Sequence, residues 1–360
     1  MTETRPYASW TSSLSADILA KASNRLGHLC IDQSDIYWLE SRASEKGRNV
    51  LIRCDAKGEI HQVLPAAVSV RSKVHEYGSG DFLVEQGIVY FVSAKDQAVY
   101  SFDGALTQLT QILPDREQRF ADFRLSSDKR YLLCIRETHG QSEVVNQLVS
   151  IDLETLQFKS NHSESAKDNQ LNFCDIHILH SGFDFYTSPR LTPLGNRICW
   201  TCWNQPDMPW DAAELWVADF ADGNISAEHR VCGGHLEQDQ LESIYQPEWS
   251  QDGVLHYISD KSGWGNIYSC RDGLLNALTP IDRDFSIPQW ILASSTYTIQ
   301  HDNIYAIYTE QGIQQLCHID VSSGQIEPIK LPFNYFSEYL LYSDGHLISR
   351  GEPPIRRSGL

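Results

Sequence analysis

One unit recurs six times along the chain: an apolar strand that ends near an aspartate, a polar turn and a short second strand. The stretches "AVYSFDGALTQLT" (Ala98–Thr110) and "NIYSCRDGLLNALTP" (Asn266–Pro280) show it plainly. Successive aspartates are 48 to 67 residues apart, close to the roughly 40–50 residues of a propeller blade. The six aspartates are Asp55, Asp103, Asp152, Asp219, Asp272 and Asp320. Such a unit cannot bury both of its faces alone, so the repeat predicts a fold in which copies stack on one another.

A second motif precedes the first in several units and predicts a hairpin. It consists of an apolar residue, Ser or Thr, a Gly- or Asp-containing turn and a strand, as in Phe123–Ile135, Pro189–Thr201 and Pro247–Ile258. Together the two motifs predict four antiparallel strands per unit. The fold class is therefore all-β, a β-propeller with six complete blades and a partial seventh that begins at Tyr335–Arg350. The six blades are predicted at about residues 26–65, 82–110, 121–180, 185–232, 244–280 and 286–332.

The predicted domain organisation is an N-terminal extension (1–25), the propeller (26–350) and a tail (351–360). A short helix is expected at Ser13–Asn24 and a polar surface loop at Ser160–Gln170. Because Pro353 and Pro354 lack backbone donors, the tail is not expected to extend the last ladder. The open edge of the seventh blade then needs a cover: an N-terminal strand, a further part of a longer protein, or a partner.

Composition narrows the range of partners and compartments. The formal charge of −18 makes nucleic acid an unfavourable partner, because its phosphates are also negative. No apolar run approaches the roughly 20 residues of a membrane span, and no signal peptide is visible at the N-terminus, so no membrane partner is expected. Several of the nine cysteines lie in apolar runs, as free buried thiols do. A cytoplasmic protein is the expectation.

The specific strings within the blades resemble a known family. They are similar to the N-terminal β-propeller of prolyl-oligopeptidase-family serine peptidases, nearest to the acylaminoacyl-peptidase and dipeptidyl-aminopeptidase-like branch. The resemblance runs from about Tyr7 to Leu340, and one departure is Ser79 in "HEYGSGD", where relatives usually carry glycine. The matching segments are Asp35–Arg53, Val70–Phe82, Gly182–Ala218, Ser243–Gly253 and Tyr257–Tyr268.

The resemblance implies a non-catalytic role for these residues. In that family a separate α/β-hydrolase domain follows the propeller and carries the catalytic Ser, Asp and His, while the propeller restricts and guides peptide access. Acyl transfer by serine needs a Gly-x-Ser-x-Gly elbow between a strand and a helix, and no stretch fits; "GQSEV" (Gly140–Val144) has only the first half. We therefore expect no catalytic residue in this chain, no cofactor, and a hydrolase domain as the partner, in cis or in trans.

Five residues are candidates for contact with substrate or with the hydrolase domain. His75 and Glu76 lie in "VHEYG" at the junction of the first two blades, where a hydrogen-bonded strut between blades is the alternative. Trp203, Trp210 and Asp211 lie in "WNQPDMPWDAAELW", a Trp- and Pro-rich segment typical of a docking rim. A packed loop that caps the fourth blade explains the same residues equally well.

Metal and redox sites are not predicted. The spacing of Cys199 and Cys202 in "CWTC" would suit zinc or redox chemistry, but residues three apart in a strand point to opposite faces. The same geometry separates His177 from His180, near Cys174. Two other function classes remain open: a stand-alone propeller scaffold that binds proteins, or one subunit of a split peptidase. A propeller hydrolase with a channel metal ranks last, because position-matched acidic residues are not evident in the repeat.

The purified chain should not react with a serine-directed fluorophosphonate probe or cleave aminoacyl and acyl-peptide chromogenic substrates, because it has no nucleophile elbow. Labelling is measured by gel fluorescence, with an intact peptidase of the family as the positive control. Stoichiometric labelling of the chain would contradict this expectation.

Overall fold

The computed structural model describes residues 24–115, 117–156 and 173–352, together with Pro6 and Ser9. The helix predicted at Ser13–Asn24 lies, apart from Asn24, outside the described residues, and so does the loop Ser160–Gln170. None of the helices in the described part of the chain is long and apolar enough to cross a bilayer.

Six antiparallel sheets of at least four strands follow one another along the chain, which confirms the predicted all-β propeller. The first three blades are β1–β4 (Arg25–Asp32, Asp35–Arg42, Arg48–Cys54, Ile60–Gln62), β5–β8 (Phe82–Glu85, Ile88–Val92, Val99–Phe102, Leu106–Gln108) and β9–β12 (Glu117–Leu125, Tyr131–His139, Val144–Asp152, Asp175–Ser181). The next three are β13–β17 (Phe185–Leu191, Arg197–Trp203, Glu214–Ala221, Asn224–His235, Leu241–Glu242), β18–β21 (Ile244–Trp249, Leu255–Ser259, Asn266–Arg271, Leu274–Ala277) and β22–β25 (Tyr297–Gln300, Asn303–Glu310, Ile313–Asp320, Ile326–Ile329). Short helices occupy Ala43–Glu45, Pro209–Ala212 and Glu237–Asp239.

The seventh position is held by two short ribbons. β26 (Tyr335–Phe336) pairs with β29 (Gly351–Glu352), and β27 (Leu341–Ser343) pairs with β28 (His346–Ile348). β27 contacts the first strands of both the sixth and the first blade, so it completes the inner circle of strands. The hydroxyl of Ser343 donates a hydrogen bond of 2.9 Å to the carbonyl of Gln33 in the first blade. The expected partial seventh blade is thus a pair of two-stranded ribbons, and β29 lies in the segment 351–360, which is predicted from the sequence to be a tail without ladder pairing.

The first repeated sequence signal marks the turn after the third strand of each blade, and the second marks the turn after the first strand of blades three to five. The repeated aspartates lie at the end of the third strand, as Asp152 does at the end of β11. The repeated Ser or Thr follows the first strand, where its side-chain oxygen accepts a hydrogen bond from a backbone N–H across the turn. Ser126 accepts one from Tyr131 at 2.9 Å, and Ser250 accepts one from Val254 at 3.0 Å. The hydroxyl oxygen at this position thus supplies a hydrogen-bond acceptor to a backbone N–H across the turn.

Apolar cores lie between successive blades. Tyr37 and Leu51 of the first blade pack with Phe82 and Phe91 of the second in one cluster of buried residues. Equivalent clusters join every following pair of blades, and a last one joins the sixth blade to Phe336 and the ribbons. Each blade is covered on both faces by its neighbours, which explains why second strands such as β10 and β14 are buried almost continuously, whereas fourth strands such as β12 and β21 are largely exposed.

First strands of three blades carry the same bulge. Asp122, Ser188 and Gln246 each adopt a positive φ, at 57°, 57° and 46°, where the register with the second strand shifts. The carboxylate of Asp122 accepts hydrogen bonds from the backbone N–H of Ser188 at 2.9 Å and from the guanidinium of Arg190 at 3.2 Å. Asp122 is fully buried and Arg190 nearly so, and the bulge therefore ties the third blade to the fourth inside the channel.

Two connections between blades cross each other beside the first-strand bulge at Asp122. The segment 72–81, which links blades one and two, meets the segment 286–296, which precedes blade six. Ser79 pairs with Leu292 as a parallel bridge, and the N–H of Leu292 donates to the carbonyl of Gly78 at 3.1 Å. Gly80, with a φ of 62°, passes so close to the bulge that a Cβ would lie 2.7 Å from the backbone nitrogen of Asp122. We call these crossing segments the plug.

Replacing Gly80 with Ala should lower the free energy of unfolding by about 3 kcal/mol, because the new methyl group meets backbone atoms and the left-handed φ becomes strained. Urea unfolding followed by far-UV circular dichroism measures the change. Gly87→Ala is the matched control: its φ is 79° but a Cβ there meets nothing within 4 Å, so about 1 kcal/mol is expected. Equal losses for the two variants would contradict the close approach at the plug.

Candidate functional site

An aromatic pocket lies beside the plug. Its walls come from the plug, from the start of blade four, and from the loop between the second and third strands of that blade. The cavity has a volume of about 210 Å³. Its lining residues are His75, Tyr77, Gly78, Phe185, Trp203, Met208, Pro209, Trp210, Gln289, Trp290, Ile291 and Leu292. The fold thus gathers at one place rings that are far apart in the sequence.

The inner wall of the aromatic pocket is a stack of three rings. Phe185 and Trp203 stack with centroids 5.2 Å apart and an interplanar angle of 15°. The imidazole of His75 meets both edge-on, at 5.1 Å from Phe185 and 5.8 Å from Trp203. Burial lowers the pKa of His75 to about 4, so the ring is neutral near pH 7. The inner wall is therefore apolar and uncharged.

The outer wall is formed by exposed aromatic side chains. Trp290 is 48% exposed and lies between Trp210, at a centroid distance of 4.6 Å, and Tyr77, at 5.3 Å. Tyr77 is 61% exposed and Met208 at the rim is 39% exposed. Large apolar side chains that remain exposed together mark an interaction site more often than single ones do.

The five predicted contact residues separate into two groups. His75, Trp203 and Trp210 line the pocket, and Glu76 and Asp211 do not. The carboxylate of Asp211 accepts a hydrogen bond of 2.9 Å from the backbone N–H of Met208, so it shapes the turn that presents Trp210. The carboxylate of Glu76 accepts a hydrogen bond of 2.6 Å from the guanidinium of Arg119.

Glu76 belongs to an ionic network that anchors the plug. Arg119 also forms ion pairs with Glu117 at 2.9 Å and with buried Glu137 at 3.0 Å, and Glu137 accepts a hydrogen bond from the backbone N–H of His75. Glu76, Glu137 and His139 lie close enough together to offer ligands to a metal ion. Because Arg119 already supplies the positive charge between the two glutamates, the arrangement works as an inter-blade strut.

Cysteine and histidine pairs with metal-like spacing are separated by the strands that carry them. Cys199 and Cys202 belong to different core clusters, and burial raises the pKa of both thiols. All nine cysteines are free. His177, His180 and Cys174 form no cluster of potential ligands among the described residues.

Four further ring or rim residues of the pocket were not among the residues predicted from the sequence: Tyr77, Phe185, Met208 and Trp290. Tyr77, Phe185 and Met208 lie inside segments that the family resemblance had already drawn attention to. Trp290 stands in "SIPQWIL", which carries neither a repeat signal nor a spacing signal. Only the meeting of the two plug segments places Trp290 beside Tyr77.

Comparison with solved structures identifies what this propeller is similar to. A puromycin-hydrolysing peptidase of Mycobacterium tuberculosis matches 97% of this chain with 29% identity and a TM-score of 0.83, and the match covers 53% of that peptidase. A puromycin hydrolase matches 98% of the chain with 26% identity and a TM-score of 0.84, again over 53% of its own length. The acylaminoacyl peptidase of Pyrococcus horikoshii, at 14% identity and a TM-score of 0.56 over 92% of the chain, shares the fold.

The chain spans about half the length of these two puromycin-hydrolysing peptidases, and it corresponds to their N-terminal propeller region. The resemblance to the prolyl-oligopeptidase family is thereby confirmed. No protein-family model matches the chain, and the comparison with curated proteins finds no match.

Replacing Asp81 with Asn should change how stability depends on pH. Burial raises the pKa of Asp81, at the end of the plug, to about 6, although its carboxylate accepts a hydrogen bond of 2.6 Å from the N–H of Ser72. In the unfolded chain the pKa is near 4, so the wild type loses stability relative to the variant as pH rises from about 4 to about 6. The expected relative loss is about 2 kcal/mol.

Chemical unfolding of both proteins at pH 4.5, 5.5 and 7 measures this difference. Asp320→Asn is the control, because hydrogen bonds from Ser322 and Ser323 lower the pKa of Asp320 to about 2. Its effect should stay constant between pH 5 and 7. A constant difference for Asp81→Asn as well would show that Asp81 ionises normally in the folded protein.

Proposed function

We propose that this propeller is the non-catalytic part of a serine peptidase of the prolyl-oligopeptidase type, and that it restricts and guides short peptides to an α/β-hydrolase domain. The observation that carries the proposal is the match over 97% of the chain to one part of a puromycin-hydrolysing peptidase, at 29% identity. Substrates in the range of aminoacyl compounds and short peptides follow from the named activity of those relatives. Dipeptidyl or acylaminoacyl preference is a narrower version of the same proposal.

The face with the aromatic pocket is the one we assign to the hydrolase domain. Exposed Tyr77, Met208, Trp264 and Trp290 concentrate there, and aromatic residues are the usual anchors of protein interfaces. The two plug segments meet at the same face. A substrate would then reach the active site past the rim of this face, and a folded protein is too large for that route.

A stand-alone binding scaffold is the second candidate function, and one subunit of a split peptidase is a form of the first. The exposed aromatic face favours the scaffold as much as it favours a hydrolase partner, since a propeller offers broad faces to protein ligands. What separates the candidates is whether a hydrolase domain binds and whether its selectivity then changes.

The chain should bind a hydrolase region supplied in trans and should limit what it cleaves. Mixing it with the C-terminal half of a puromycin-hydrolysing relative should give a complex in size-exclusion chromatography with light scattering. The complex should cleave an aminoacyl p-nitroanilide and spare casein, whereas the hydrolase region alone should be less selective. An unchanged ratio of the two activities would contradict the gating role.

A matched pair of variants tests which face is used. Trp264→Asp places a charge on the pocket face, in the turn between β19 and β20 of blade five. Leu194→Asp places one in the turn between β13 and β14 of blade four, on the opposite face of the propeller; the two side chains are 42% and 82% exposed. Trp264→Asp should weaken the complex about tenfold or more, and Leu194→Asp should leave it unchanged. The reverse order would assign the hydrolase to the other face.

A further inference from the structure

A groove lies between blades four and five, toward the face opposite the aromatic pocket. Its volume of about 540 Å³ falls within the roughly 300–1,000 Å³ of small-molecule sites. The turn between β18 and β19 and the turn between β20 and β21 form part of its wall, whereas Trp264 of the pocket face lies between β19 and β20. We call this cavity the lateral groove.

The floor of the lateral groove is apolar. Val217 and Leu255 are buried there, and the half-buried Val231 and Trp249 pack on the same cluster of residues between the two blades. The side chain of Leu275, 43% exposed, extends the apolar surface toward solvent. A ligand that fills the groove therefore needs an apolar body to cover this floor.

Arg197 lies at the edge of the floor. Its guanidinium carbon is 5.2 Å from the centroid of the Trp249 ring, within the roughly 6 Å of a cation–π contact. Among the described residues its guanidinium forms no ion pair and no hydrogen bond, and Asp219, its partner in the register of β14 and β15, does not neutralise it. The groove thus holds an unpaired, half-buried positive charge in a chain whose formal charge is −18.

Two other arginines that lie over an aromatic ring each have a carboxylate partner as well. These contacts are Arg130 over Tyr131 at 4.9 Å with Asp152 at 2.8 Å, and Arg283 over Tyr308 at 5.0 Å with Glu310 at 3.1 Å. Arg197 has the ring contact without the carboxylate. Because a guanidinium presents its N–H groups in a planar fork that matches a carboxylate, the position of the missing acid is open to one supplied from outside.

The other charged groups of the lateral groove limit the charge that a ligand can carry. Arg271 is already paired with Asp252 at 2.6 Å. Arg230 is paired with Glu214 at 3.3 Å. Asp272 also lines the groove and forms no ion pair among the described residues. A dianion such as a phosphate ester is disfavoured beside these carboxylates, whereas a single negative charge balances the one unpaired guanidinium.

We propose that the lateral groove binds a small organic monocarboxylate with an aromatic body. The carboxylate accepts hydrogen bonds from the guanidinium of Arg197, and the ring covers Trp249 and Leu275 on the floor. The groove lies on the face opposite the one that we assign to the hydrolase domain. The binding is therefore a separate property of the propeller and does not rest on the proposed function.

Three small probes separate the two parts of this ligand. Hydrocinnamate has the ring and the carboxylate, hydrocinnamamide lacks the charge, and acetate lacks the ring. Titrations of the full chain at low ionic strength, followed by ligand-observed NMR, should show hydrocinnamate binding about tenfold more tightly than either of the others. Equal affinity for hydrocinnamate and its amide, equal affinity for hydrocinnamate and acetate, or absence of binding would overturn the proposal.

A pair of arginine variants tests the carboxylate contact. Arg197→Gln should abolish the preference for hydrocinnamate over hydrocinnamamide, because the amide side chain keeps hydrogen-bond donors and loses the charge. Arg283→Gln is the matched control, since Arg283 has the same kind of ring contact but is paired with Glu310 outside the groove. It should leave the tenfold preference in place. A preference that survives Arg197→Gln, or that Arg283→Gln removes equally, would overturn the assignment.

A pair of leucine variants places the ring. Leu275→Asp puts a negative charge on the floor of the groove and should weaken hydrocinnamate about tenfold. Leu106→Asp is the control, because Leu106 is 46% exposed on the fourth strand of blade two, as Leu275 is on the fourth strand of blade five. Both side chains are exposed, so neither change alters the core. Equal binding by the two variants would show that the ring lies elsewhere and would overturn the proposal.

Discussion

The fold depends on how the first strands of neighbouring blades are joined around the channel. Asp122 reaches from its bulge to the backbone N–H of Ser188 and to Arg190 in the next blade, with no access to water. Burial alone would raise the pKa of Asp122, but the guanidinium groups of Arg190 and Arg124 hold it below its usual value. A buried carboxylate in this position is stable only with such partners. The ion pair therefore joins blades three and four in addition to the apolar core between them.

A side chain at a first-strand bulge also joins blades five and six, but there it is a neutral amide. Gln246, at the equivalent bulge of blade five, uses its side-chain amide to accept from the N–H of Thr296 at 2.7 Å and to donate to the carbonyl of Tyr297 at 2.7 Å. A neutral amide thus does between blades five and six what a carboxylate does between blades three and four. The plug passes close to the bulge at Asp122. Gly80 fits there only because it has no side chain against the backbone of Asp122.

The candidate site follows from the plug. The residues before Gly80 carry His75 and Tyr77, and the opposing segment carries Gln289 and Trp290, so the crossing itself builds two walls of the aromatic pocket. Blade four supplies the third wall through Phe185, Trp203 and the turn at Trp210. Arg119 ties the plug to blade three, because its guanidinium pairs with Glu76 of the plug and with Glu137 of β10. A site with fixed walls can select a ligand by shape with little ordering cost, which suits the gating role we propose.

The sequence by itself determined the blade repeat, because each turn needs residues whose backbone and hydroxyl chemistry is local: Ser126 and Ser250 serve the backbone a few residues away. It also pointed to His75, Trp203 and Trp210, through their segments. It offered an inter-blade strut for His75 and Glu76 only as one of two interpretations, and it did not show that Asp211 caps a turn or that Trp290 joins the pocket. Those roles depend on contacts between segments far apart in the chain, such as the bridge between Ser79 and Leu292. No local preference encodes such a pairing, since closing the circle of blades is what brings the two segments together, and so only the tertiary structure decided the site.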